Sequence, residues 1–160
     1  MTDTALPVLA YLRRRLAGTA RPGDRTHLRY PTAISGFLGF EIVDVGEGTA
    51  AVRAEADADR RHGNQQGTVH GGFLVELADA AIGTAHSTLM REGETFTSID
   101  IRAAFLRPVW HGTLLATARP VHSGRTISHY VCEVVRDDGK CVATVTSTVT
   151  TLRGDRAAGR

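Results

Sequence analysis

The stretch Asn64-Gln65-Gln66-Gly67-Thr68-Val69-His70-Gly71-Gly72, running into Phe73-Leu74-Val75-Glu76-Leu77-Ala78-Asp79, constrains this chain more than any other. It predicts a loop that closes on two glycines and passes directly into a helix from about His70 to Met90, with Gly93 marking the end. Leu74, Leu77, Ala78, Ala81, Ala85 and Leu89 recur at the three-then-four spacing of one apolar helical stripe. The opposite face carries Gly72, Glu76, Asp79, Gly83 and His86, which is small and polar with a carboxylate near its centre.

Two features of this helix carry chemistry. Its first N–H groups have no partner inside the helix and sit at the positive end of the dipole. Gly71 and Gly72 let a ligand oxygen approach that backbone, which is one way to build an oxyanion hole for acyl transfer. Asp79 is a candidate base or nucleophile. Eight positions separate Gly71 from Asp79, which at ~1.5 Å per residue is roughly 12 Å. An oxyanion donor and an attacking group must both come within ~3 Å of the reacting centre. One helix fails that condition. Two antiparallel copies meet it, Gly71 of one facing Asp79 of the other, as in a two-fold dimer.

Around this helix the pattern is that of strands. Pro31 to Gly39 is a turn or short helical piece. Phe40, Ile42, Val43 and Val45 mark a first strand whose buried face stays ambiguous, because Glu41 and Asp44 fall on opposite sides. Ala50, Val52, Ala54 and Ala56 alternate with Arg53 and Glu55 in a second strand, which completes a hairpin. After the helix, Ile99, Ile101, Ala103 and Phe105 form one face of a long strand, with Ser98, Asp100 and Arg102 on the other. Leu114 to Ala118 begin the next strand, in which Pro120 demands an edge or a bulge. Ile127–Val135 and Lys140–Leu152 form a final hairpin about Asp138-Gly139. A hairpin, one long helix and a four-stranded meander make an α+β architecture of about six antiparallel strands. The wide, Ala-rich face of the helix requires the sheet to wrap it. Residues 5–17, with Val8, Leu9, Leu12 and Leu16 at helical spacing, add an amphipathic N-terminal helix. The tail after Arg153 reads as polar and frayed.

Composition narrows the function. The net charge of +2 comes almost wholly from arginine, since Lys140 is the only lysine. That excess is too small and scattered for nucleic acid, yet it suits a phosphate-bearing small molecule. No apolar run approaches the ~20 residues of a membrane span, and no signal peptide is indicated, so a cytoplasmic protein is expected. The turn at Asp138-Gly139 would set Cys132 opposite Val145 and Cys141 opposite Arg136, out of disulfide range. The seven histidines show no zinc-type spacing, and no metal is expected.

The string N-x-x-G-x-x-H-G-G-x-x-x-x-L-x-D, here Asn64, Gly67, His70, Gly71, Gly72, Leu77 and Asp79, resembles that of hotdog-fold thioesterases of the phenylacetate-pathway (PaaI-like) type. Phe105-Leu106-Arg107-Pro108 and Ser123-Gly124-Arg125 extend the resemblance, which covers about residues 31–152. It divides the chain into an N-terminal helix and loop (1–30), a hotdog domain (31–152) and a polar tail (153–160). It implies hydrolysis of an acyl-CoA thioester, aromatic or medium-chain, by a homodimer with a continuous sheet, often doubled to a tetramer. No cofactor is implied, because coenzyme A belongs to the substrate. Asp79 would be the nucleophile or the base that activates water, and Gly71 of the opposite subunit would supply the oxyanion N–H. Asn64 and His70 would position the thioester or the water, and Ser98 would hold that water near Asp79. Gly72, Phe105, Leu106, Arg107, Pro108 and Val109, with His122, Ser123, Gly124, Arg125 and Thr126, would bind substrate and coenzyme A, with Arg125 the phosphate contact.

Because thiolate leaves readily, Asp79 need only be ionised, as its ordinary pKa of ~3.9 ensures at neutral pH. Blander readings attach to several of these residues: His70 as a helix-entry histidine, Asn64 as a turn cap, Ser98 as an ordinary strand residue, Glu76 as structural, and Arg107 and Arg125 as solvated. Two other functions fit the resemblance. A hotdog dehydratase or hydratase would pair His70 with Asp79 for proton transfer, although the double glycine favours hydrolysis. A non-catalytic acyl-CoA sensor would need a DNA-binding module, and the ~30 residues before Pro31 are too few for a helix-turn-helix.

Overall fold

The computed structural model describes residues 4–158, so the ends of the predicted N-terminal segment and tail lie outside the described residues. A short parallel pair, β1 (Thr4–Ala5) and β2 (Asp24–Arg25), brackets the helix α1 (Val8–Leu16). Helix α2 (Ala33–Leu38) follows, then the hairpin β3 (Glu41–Gly46) and β4 (Thr49–Asp57), and the central helix α3 (Gly71–Ser87). Four strands complete the chain: β5 (Thr95–Phe105), β6 (His111–Ser123), β7 (Ile127–Arg136) and β8 (Cys141–Leu152). All six long strands form one antiparallel sheet in the order β3-β4-β6-β7-β8-β5. The expected α+β arrangement, a sheet wrapped on one long helix with an additional N-terminal helix, is the one observed, but the meander runs only through β6, β7 and β8, and β5 pairs with β8 in place of β6.

Burial of α3 decides the shape. Leu77, Ala78, Ala81, Ile82 and Ala85 are fully buried against inward residues such as Leu114, Ala116, Tyr130, Cys132 and Val145. Alanines let the helix lie close to the sheet, while Leu77, Ile82 and Leu114 each contribute roughly 1.5–3 kcal/mol by burial. β8 shows the matching alternation, with Val145, Ser147 and Val149 fully inside and Thr144, Thr146, Thr148 and Thr150 outside or half-buried.

Three bulges correct the simple period-two reading. In β3 the register shifts between Ile42 and Asp44, so Val43 is the extra residue. Phe40, Ile42 and Val45 therefore pack inward, and the ambiguous face is settled. In β6 the shift between Pro120 and His122 makes Val121 the extra residue; Pro120 itself pairs with Tyr130 and is tolerated because it lies beyond the last residue paired to β4. In β5 the shift falls between Ser98 and Asp100, with Ile99 extra. Ser98 then pairs with Val149 and Ile101 with Ser147, so Ser98 shares the helix-facing side with Ile101, Ala103 and Phe105. The strict alternation had placed it on the opposite side.

Other departures are local. Gly139 takes a positive φ and a shift near Val134 and Val135 sets Cys141 opposite Val135 rather than Arg136, while Cys132 does face Val145. α3 stops at Ser87 rather than Met90, because the hydroxyls of Ser87 and Thr88 donate to the carbonyls of Thr84 and Ala85. α1 is docked, with Val8 and Leu12 buried and Arg14 bridging both oxygens of Asp24 at 3.0 Å. The tail is tied at its start, where Arg153 Nε meets Glu94 Oε1 at 2.6 Å.

His86 does not belong to the solvent-facing side. It is 1% exposed, with Nδ1 3.1 Å from the Tyr130 hydroxyl and Nε2 3.0 Å from Thr151 Oγ1. Burial, helped by the Arg153 charge, lowers its pKa from 6.5 to about 4. A depressed histidine pKa contributes stability that is fully present above 6.5 and is lost progressively as pH falls toward 4. Thermal melts across that window test this: the wild-type Tm is expected to fall, and His86→Gln is expected to flatten that part of the curve.

Candidate active site

The loop before α3 is held by its own side chains. Asn64 Oδ1 accepts from the N–H groups of Gln66 (2.8 Å) and Thr68 (3.2 Å), while Nδ2 donates to Thr68 Oγ1 (2.9 Å). Both ends of the Asn64 amide thus brace the loop, the turn-capping geometry of an Asx residue. A π-type turn, Ala58–His62, supports it from behind. The His62 ring stacks on Phe73 at 3.9 Å, and its carbonyl accepts from His70 N–H at 2.6 Å. His70 is the N-cap of α3, and its Nδ1 accepts from Gly72 N–H at 2.9 Å. This leaves Nε2 to carry the proton of a neutral ring and point it outward.

Gly71 N–H donates to no group among the described residues, so the helix begins with a free donor. A Cβ at Gly71 would stand 2.7 Å from the Phe105 ring, so glycine is required here for that ring to cover the helix end. Phe105, Leu106, Arg107 and Pro108 are exposed around a cavity of about 510 Å³ that also takes in Asn64, His70, Gly71 and Gly72. Val109 is 1% exposed and anchors this wall, its carbonyl accepting from Val69 N–H at 2.7 Å. Arg107 is partly spent, donating to the Cys141 carbonyl at 2.6 Å. The single tryptophan, Trp110, follows Val109 in sequence and is half exposed, its carbonyl accepting from Ala58 N–H.

Asp79 lies two turns along α3 in a different cavity of about 370 Å³, bordered by Glu76, Gly83, Tyr30, Thr95 and Phe96. The two cavities have no wall residue in common. The Ile99 bulge turns Ser98 toward Asp79, where its hydroxyl favours the charged carboxylate. Burial raises the Asp79 pKa and the Ser98 bond partly offsets the rise, so the carboxylate is not the unperturbed group expected from sequence. Glu76 is raised too, by burial and then by the neighbouring Asp79 charge.

His122 and Ser123 end β6, and Gly124, Arg125 and Thr126 form the β6–β7 turn, where the Thr126 carbonyl accepts from Thr151 N–H. Thr151 pairs with Phe96 at the start of β5, whereas Phe105 pairs with Ala143 at its end. One chain therefore separates the two segments expected to line a common channel by nearly the length of β5, roughly 30 Å. Tyr30, Thr95 and Phe96 border the Asp79 cavity without having been singled out in the sequence, since no motif marks a wall built from an N-terminal loop.

Comparison with known proteins fits this geometry. Residues 66–143 match the model of the thioesterase superfamily. The acyl-coenzyme A thioesterase PaaI of Escherichia coli is 36% identical over 107 residues, 66% of this chain and 73% of that protein. The chain belongs to the thioesterase superfamily. Among solved structures, a thioesterase of Haemophilus influenzae superposes with a TM-score of 0.70 at 29% identity, covering 77% of this chain and 85% of the other. A mutant of the phenylacetic acid degradation protein PaaI from Thermus thermophilus gives 0.68 at 34% identity, covering 74% and 98%. The fold is thus that of the hotdog thioesterases, and the protein is a thioester hydrolase.

Two measurements test the Asp79 environment. If the ionised carboxylate is the active form, the acid limb of kcat lies above the ordinary 3.8, and Ser98→Ala moves it to higher pH. A pKa raised in the folded state means that the charged Asp79 costs stability at neutral pH. Asp79→Asn is therefore expected to raise Tm at pH 7, and the gain is expected to vanish on acidification toward 3.8.

Proposed function

We infer that this protein hydrolyses acyl-CoA thioesters at sites completed by two chains. The observation that carries the reading is the separation of the free Gly71 N–H from Asp79 along one rigid helix, each in its own cavity. At ~1.5 Å per residue the gap is roughly 12 Å, too far for one carbonyl to reach both. β5 supports the remedy. Among the described residues it is an edge strand, paired only with β8, and Ile99, Ile101 and Phe105 on it are 58%, 41% and 56% exposed. Such an edge invites pairing. Antiparallel pairing of β5 with its copy sets the Phe105 end of one chain beside the Ser98 end of the other. Gly71, under Phe105, then approaches the copy's Asp79, beside Ser98. The same operation carries Arg107 toward the copy's His122 to Thr126 turn, which joins the two halves of the coenzyme A channel.

In this site Gly71 N–H receives the developing oxyanion at the positive end of α3. Asp79 attacks the thioester carbon or takes a proton from water, and Ser98 orients its carboxylate. His70 holds the helix end open with its proton turned outward. Asn64 fixes the loop that carries His70. The leaving thiolate needs no strong acid, and no cofactor is required. A dimer is the minimal unit, and a dimer of dimers is compatible with it. The two thiols, both free among the described residues, suit a reducing cytoplasm. Family membership and an acyl-CoA thioesterase as a relative support the substrate class.

Release of free coenzyme A from phenylacetyl-CoA or octanoyl-CoA tests the activity, and Asp79→Ala is expected to lower kcat by at least ~100-fold. Gly71→Val is expected to push Phe105 aside and cost about 100-fold through misplacement. Hybrid dimers co-expressed from these two variants test the shared site, because each hybrid retains one intact constellation and should regain about half the wild-type rate. Hybrids as inactive as their parents would exclude composition from two chains.

A further inference from the structure

A second chamber of about 350 Å³ lies behind the Asp79 cavity, between α1, α2, β3, β4 and the flank of α3. Away from Asp79 its wall is mainly apolar, made by Leu12 and Leu16 of α1, Phe40, Ile42 and Val52, with Arg15 and Glu41 interleaved among them. The two spaces meet at a neck whose residues border both: Tyr30, Thr32 and Ser35 on one side, Ala80 and Thr84 of α3 on the other. The Tyr30 hydroxyl is engaged by Ser87, so its ring forms the wall of the neck and presents no free polar group to a ligand. α1 is fixed as the roof: Val8 is fully buried, Arg14 is bridged to Asp24, and Arg15 Nη1 donates to the Tyr30 carbonyl at 3.2 Å. The family match begins at Gln66, so the roof is built from a part of the chain outside that match.

We propose that α1 is an acyl-selectivity element: an acyl group whose carbonyl sits at Asp79 runs past Ala80 and Thr84 into this chamber and ends against Leu12, Leu16 and Phe40. The inference rests on the acyl-thioester reading of the Asp79 site and names the substrate class within it. A methylene fills about the volume of a water molecule, ~30 Å³, so the chamber holds on the order of ten carbons. That favours medium-chain or arylalkyl acyl groups over acetyl.

The test uses S-alkyl-coenzyme A thioethers from ethyl to dodecyl, measured by calorimetry beside hydrolysis of the matching acyl-CoAs. Wild type is expected to bind more tightly with each added carbon, by about fourfold per methylene at most, up to decyl. Ala80→Leu narrows the neck and Leu16→Trp fills the far end from a half-exposed turn of α1. Both are expected to flatten the length dependence beyond hexyl while changing ethyl and butyl affinity by less than about threefold. Leu16→Trp lies away from Asp79 and decides the matter if Ala80→Leu misfolds. An unchanged length dependence in Leu16→Trp, or none in wild type, overturns the assignment. Graded binding without hydrolysis would remove the thioesterase reading and leave the chamber's role standing.

Discussion

The structure depends on the burial of one face of α3. Leu77, Ala78, Ala81, Ile82 and Ala85 are sealed against the sheet, so the helix can neither rotate nor bend toward its own chemistry. Its open flank is a fixed ruler with a free amide at one end and a carboxylate two turns on. Close packing transmits small displacements instead of absorbing them. Positions of reacting atoms are therefore set by the core, and under the proposed mechanism the second half-site comes from a second chain and not from flexing.

Supports around the ruler share a logic. At the helix start, Asn64 and His62 hold the loop while His70 caps the first turn, so the free donor at Gly71 is ready without rearrangement. Beside Asp79, the strand is broken by one extra residue so that Ser98 can face the helix. Burial pushes the carboxylate toward its neutral form and the serine pulls it back. A partly desolvated carboxylate is a stronger base than a hydrated one, and the hydroxyl keeps enough of it charged to act.

Much of this was legible in the sequence because it follows from periodicity and local turn chemistry. The Ala-rich stripe of α3, the Gly71-Gly72 entry and the β3–β4 hairpin came from spacing, whereas the expected four-stranded meander did not hold, because β5 pairs with β8 and not with β6. The placement of Ser98 beside Asp79 came from resemblance alone, against the strict alternation of β5, because a bulge leaves no mark in residue types. His86 was misplaced for a related reason. A helical wheel sees a polar residue and assigns it outward, whereas partners as distant in sequence as Tyr130 and Thr151 satisfy it inside. The second chamber was invisible, since its walls come from α1, α2, β3, β4 and α3 and meet only in the folded molecule.

The half-exposed Trp110 directly follows Val109, the last wall residue of the cavity that opens on the helix end, and the chain contains no other tryptophan. Its emission therefore comes from one place and is not averaged over several. A ligand that settles along Phe105 to Val109 changes the polarity around that ring, whereas one confined to the far chamber leaves it alone. The molecule carries its own optical gauge, able to tell which half of a long substrate has arrived first.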